Sequence, residues 1–230
     1  ARARVGRLRA DDLSGYVLKK GSPSCGIDVE VRRGGRAARR GRGLFAQALL
    51  ERFPNLPVEE EGRLSDLEVR ANWLTRVVAY RRLRSLRTRP RTIDTLVAFH
   101  AAYELVLLAR SPKTARDLRR IVTGGGERTA LRAAYEAGFM RALSRLPTRA
   151  GHTRALRRAT AHLGSRLDEA SRAALDAGID GYRHGLRPLS APLSLLRRLA
   201  RRFDVEYLLA QVYLDPLPGI FSSPGIQQNR

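Results

Sequence analysis

Apolar residues near the start of the chain come in short runs. Tyr16, Val17 and Leu18 read as a strand that Gly21, Ser22, Pro23, Ser24 and Gly26 break, so Cys25 is expected in a loop at the strand's end. Ile27 to Val31 alternates as a second short strand, and Arg32 to Gly43 reads as a mobile basic loop. Leu44, Ala48 and Leu49 set helical spacing in Leu44 to Arg52, which Pro54 stops. This strand, loop, helix order suits an α/β half-domain. The acid run Glu59, Glu60, Glu61 could hold a basic partner segment, but the favoured expectation is a structural linker, since such runs are usually a solvated face.

From Ser65 onward the pattern is helical only. Ser65 and Glu68 form a capping-box pair, predicting a helix with Val69, Trp73, Val77 and Tyr80 on one face. Arg70, Arg76, Arg81, Arg82 and Arg84 fall mostly away from that face. A second helix is predicted over Thr92 to Arg110, apolar around most of its circumference, as in the middle of a bundle. Ser111 and Pro112 supply an N-cap and an N1 proline for a third, ending at Gly124-Gly125-Gly126. Further helices are expected near Glu127 to Leu146, His152 to Leu163, Leu167 to Leu186, Pro192 to Phe203 and Val205 to Leu214. The stripe Leu131, Tyr135, Phe139, Leu143 reads as core packing. The fold class expected is α+β overall, with a partial α/β domain over residues 1–64 and an all-α helical bundle over 65–230.

At 230 residues and 43% hydrophobic content the chain can build a core. No apolar run approaches the roughly 18 residues of a membrane span, and the Arg-rich start lacks the apolar stretch of a secretory signal. One cysteine allows no internal disulfide, which makes a cytoplasmic setting the expectation. Charge adds more. Lys plus Arg number 44 against 22 acids, a net +22 and a pI near 11.5, which points to a polyanionic partner. Only Lys19, Lys20 and Lys113 are lysines; GC-rich coding explains arginine in place of lysine but not a twofold excess over acids. Helix-borne arginine holds RNA by bidentate phosphate contacts and by stacking on unpaired bases. The candidates are Arg76, Arg81, Arg82, Arg84, Arg119, Arg120, Arg197 and Arg198.

Other chemistry is sparse. His100, His152, His162 and His184 make no metal motif, since no pair has i, i+4 spacing with an intervening acid. The Gly124 triplet lacks the lysine and strand context of a nucleotide-binding loop. A lone cysteine is usually a small buried hydrophobe.

The segment Gly15-Tyr16-Val17-Leu18-Lys19, followed by Ser22-Pro23-Ser24-Cys25-Gly26, resembles the C-terminal part of the bacterial thiouracil desulfidase family. The likeness continues through Gly41-Arg42-Gly43-Leu44-Phe45-Ala46 and Leu56-Pro57-Val58-Glu59-Glu60-Glu61-Gly62-Arg63-Leu64. The resemblance implies a 4Fe-4S cluster held by three cysteines, with one iron open to the sulfur of a thiolated pyrimidine. On that comparison Cys25 would be a cluster ligand and Ser22 would position or protonate the base; a turn residue before proline is the equal alternative for Ser22. Lys19 and Lys20 would meet phosphate at the mouth of the site, or form a solvated strand end. The chain opens at Ala1 in what reads as a helix leading into the Tyr16 strand, so the expectation is a domain without its N-terminal half. That half would carry the other two cysteines and an acidic catalytic residue, and the chain as given is expected not to assemble the cluster.

Leu96-Val97-Ala98-Phe99-His100, Leu105 to Pro112, Tyr182 to Leu189 and Gln211-Val212-Tyr213-Leu214 resemble the helical domain of YbgA-like proteins, over roughly residues 70 to 230. Such domains are often fused behind a desulfidase domain in proteins similar to tRNA 4-thiouridine desulfidases, where the helical part is thought to bind RNA. Family members often carry His-Lys at Tyr103-Glu104 and histidine at Arg110. The function implied is a tRNA thiouridine desulfidase-like protein or a fragment of one, with tRNA or a thiolated nucleotide as partner. The alternatives are a non-catalytic RNA-binding protein and a helical protein-interaction module.

Overall fold

A computed structural model describes residues 1–9, 13–31, 39–86 and 93–215. The chain divides into two compact units, Ala1–Arg91 with Ala133–Leu146, and Thr92–Arg132 with Pro147–Arg230. As the sequence pattern implies, it is α+β, a small strand-bearing region followed by helices.

The first unit opens with α1 (Arg2–Gly6) and β1 (Tyr16–Leu18), followed by the hairpin strands β2 (Val29–Val31) and β3 (Arg39–Gly41). Then come α2 (Leu44–Arg52), β4 (Val58–Glu60) and α3 (Leu67–Ser85). β1 pairs with β4 in parallel, Tyr16 opposite Val58 and Leu18 opposite Glu60. Parallel pairing requires a crossover, and the stretch containing α2 supplies it. Leu18, Phe45, Ala46, Leu49, Leu56 and Val58 close a core between the strands and α2, with Tyr16, Cys25 and Ile27 packed on it. The expected loop over Arg32 to Gly43 is corrected at its end, because Arg39–Gly41 pairs antiparallel with Val29–Val31. Residues 32–38 of that loop lie outside the described residues.

Two expectations fail here for physical reasons. Asp66, one residue beyond Ser65, caps α3, its carboxylate accepting the Glu68 and Val69 N–H groups. Asp and Ser are near equals at this position, so the sequence alone did not separate them. Glu59 and Glu60 are no solvated linker: both are 5% exposed, within β4.

In the second unit the expected helix over Thr92 to Arg110 is two. Its first residue lies outside the described ones; α4 (Ile93–Ala102) ends at Tyr103 and α5 (Glu104–Arg110) begins. A break in an apolar helix leaves backbone groups without partners, which is costly when buried. Gln211, 2% exposed, compensates for it, with Nε2 donating to the Ala101 carbonyl at 2.8 Å and Oε1 accepting the Leu105 N–H at 3.2 Å. The Val212 N–H adds a bond to the Ala102 carbonyl at 3.0 Å.

Ser111 caps α6 (Pro112–Thr123) as its sequence predicts, accepting the Thr114 N–H. α7 (Arg128–Leu143) comes next in the chain and belongs for most of its length to the first unit, and α8 (Arg149–Leu163), α9 (Glu169–Arg183) and α10 (Ser190–Arg202) continue the second. Tyr135, Phe139 and Leu143 are fully buried, as the stripe on α7 implies. α11 (Glu206–Leu209) is shorter than the expected Val205 to Leu214. α8 packs on α5, α9, α10 and α11. Gly151 permits the close approach of α8 to α5, since a Cβ there would stand 1.8 Å from the Ala109 carbonyl oxygen. Among the described residues no helix is long and apolar enough to cross a membrane.

Candidate functional site

The loop after β1 is held by backbone bonds. Gly26 N–H donates to the Ser22 carbonyl at 2.7 Å, and Gly43 N–H donates to the Gly26 carbonyl at 2.9 Å. The Ser24 carbonyl accepts the Phe45 N–H at 2.8 Å and the Ala46 N–H at 3.4 Å. These amides belong to the first turn of α2, whose N-cap, Gly43, has no side chain. A carbonyl from the cysteine loop thus does the work of a capping side chain. Gly43 must be glycine for this contact, because a Cβ would meet the Ser24 carbonyl carbon and oxygen at 2.4 Å.

Cys25 is a half-buried free thiol next to this cap. Its N–H donates to Ser22 Oγ at 3.3 Å, so the Ser22 hydroxyl serves the turn while keeping its own proton available to donate. Glu60 fixes the far side of the loop, Oε1 accepting the Ile27 N–H at 2.8 Å. Since β1 and β4 run parallel, the Cys25 loop and Glu60 both lie at the strands' C-terminal edge, where α/β folds bind ligands. Lys19 and Lys20 are exposed there, and the Lys20 stem lies over Gly62.

Behind this edge Glu59 makes ion pairs with Arg63 at 3.1 Å and Arg76 at 3.7 Å. Burial depresses the pKa of the Arg76 guanidinium, and the Glu59 charge opposes that shift. Of the arginines singled out on α3, Arg76 is therefore committed to Glu59. Arg81 is exposed, Arg82 is half-buried, and Arg84 donates to the Leu13 carbonyl while lying over the Tyr80 ring. Local pattern hides the roles of Glu59 and Glu60, because a three-residue strand buried at every position carries no alternation.

The remaining candidates lie in the second unit. Arg119 and Arg120 are exposed on α6, where Asp117 sits between Lys113 at 2.9 Å and Arg120 at 3.7 Å. Arg198 is exposed on α10, whereas Arg197 turns its Nε to the Leu214 carbonyl at 2.8 Å. The structure thus brings Ser22, Cys25, Lys19 and Lys20 to one edge and distributes the arginines over α3, α6 and α10.

The family model for a protein of unknown function, DUF1722, matches residues 104–218, half of the 230-residue chain. The chain belongs to this family. A second family model, 2-thiouracil desulfurase, matches residues 1–61, the stretch that builds the Cys25 loop and its strand edge. The uncharacterized protein YbgA of Escherichia coli (strain K12) is 28% identical over 152 residues, covering 65% of this chain and 90% of that protein. No solved structure matches. The fusion expected from the sequence, a desulfurase-like region followed by a YbgA-like region, is what these matches describe.

An iron–sulfur cluster does not fit the residues present. Cys25 is the only cysteine in the sequence, and the described residues include no group of three or more His, Cys, Asp or Glu that could hold a metal ion. Clusters of this type are held by several cysteine thiolates, so thiolates beyond this chain's own would be required.

Proposed function

We propose that the chain recognises a thiolated uracil or uridine carried by tRNA, as part of the machinery that removes the sulfur. In this reading the Cys25 loop meets the thiolated base and the helical region holds the RNA. The observation that carries it is the Cys25 loop itself: a half-buried thiol fixed by the α2 cap and by Glu60 at a strand edge, within the stretch matched by 2-thiouracil desulfurase. In this reading the Ser22 hydroxyl, three residues before Cys25 and bonded to its N–H, would donate a proton to the bound base. Lys19 and Lys20 would take the adjoining phosphate. The net charge of +22 supports a polyanionic partner.

The test is competition binding at low salt between tRNA carrying 4-thiouridine and the same transcript without sulfur. Preference for the thiolated RNA that Cys25→Ala removes supports the proposal. Equal affinity for both contradicts it, and would favour a second reading that the single cysteine also supports, a non-catalytic RNA-binding protein.

A further inference from the structure

The second unit carries a polar cluster that the Cys25 site does not use. The rings of His162 on α8 and Tyr207 on α11 stack with centroids 3.8 Å apart and planes 25° from parallel. Both are partly exposed. The Tyr207 hydroxyl donates to Glu104 Oε2 at 3.0 Å, which fixes the ring's orientation. Arg158 stands 3.9 Å from Glu104 with its side chain half exposed, a loose pair that leaves the guanidinium accessible. The charge of exposed Arg119 is felt at both Tyr207 and His100. Burial, and then the Arg158 charge, lower the His162 pKa, which favours the neutral ring.

We propose that the stacked His162–Tyr207 pair is a platform for an unpaired RNA base, with Arg158 and Arg119 holding the phosphates beside it. The inference rests on the RNA-binding part of the function proposed above. Its chemistry is that of single-strand recognition: a π-face extends the ring stack and guanidinium groups take the backbone. Glu104 is the only acid among these contacts, and it is tied to Tyr207. A core role alone would not require a pre-oriented aromatic pair to remain partly open with a half-exposed guanidinium paired to the same Glu104.

The test uses the full chain and a single-stranded RNA carrying 2-aminopurine, whose fluorescence falls when the base stacks. Binding to the wild-type chain should quench it, and Tyr207→Phe should preserve the quench. Tyr207→Leu should abolish the quench and weaken affinity about tenfold, in the range of one base–aromatic stack. Arg158→Gln, at a half-exposed position, should weaken binding and lower the salt slope by about one phosphate contact. Binding without quenching in the wild-type chain would overturn the platform while leaving RNA binding in place. So would an undiminished quench in a folded Tyr207→Leu variant, or equal competition by polyglutamate, which has charge but no bases. Failure of the wild-type chain to bind any RNA at low salt would remove both readings.

Discussion

His152 lies in the second unit with Nδ1 2.8 Å from the Tyr213 hydroxyl and its ring edge-on to Tyr182. Burial, and then the Arg110 charge, push its pKa down to about 4. The unfolded chain therefore binds a proton that the folded chain refuses between about pH 6.5 and 4, and stability falls as pH drops through that window. The loss is up to about 3 kcal/mol, at ~1.4 kcal/mol per pH unit. Denaturant midpoints at neutral and acid pH should show this, and His152→Gln should flatten the profile. Gly151, its neighbour, makes the opposite kind of prediction. With no room for a Cβ against the Ala109 carbonyl, Gly151→Ala should cost about 2 kcal/mol or more, read as a lowered thermal midpoint. Neither role shows in the sequence, because each depends on a partner that only tertiary packing brings close.

Elements were legible where their signals were local. The Cys25 turn, the Ser111-Pro112 start of α6 and the Gly124 end all follow from side chains within a few residues. The break at Tyr103 did not, because its stabilising partner, Gln211, is more than a hundred residues downstream. The burial of β4 was hidden likewise, since it depends on pairing with β1. Two predictions belong to that strand. Glu59 has two basic partners and Arg76 has Glu59 as its carboxylate, so Glu59→Leu, which strands a buried cation, should destabilise by about 3 kcal/mol. Arg76→Leu should cost less, because Arg63 still pairs with Glu59; chemical denaturation of both variants compares them. Glu60→Leu should release the Ile27 N–H and loosen the loop, read as faster alkylation of Cys25 in a chain that remains folded.

At the scale of the molecule, the resemblances announced both regions that the family models match, and a net charge of +22 is the basis for proposing a polyanionic partner. What composition could not do is divide 41 arginines between structure and surface. Arg76 and Arg197 serve the fold, whereas Arg119, Arg158 and Arg198 face outward to different degrees. Affinity for RNA should therefore fall steeply with salt, by roughly 10³ between about 50 and 200 mM if about six phosphates are neutralised. Recognition of a thiolated base at the Cys25 loop is tested most directly by protection of the thiol. Alkylation of Cys25 should be slowed by tRNA carrying 4-thiouridine and far less by the same tRNA without sulfur. Equal protection by both, or none by either, would contradict recognition of the thiolated base at this loop.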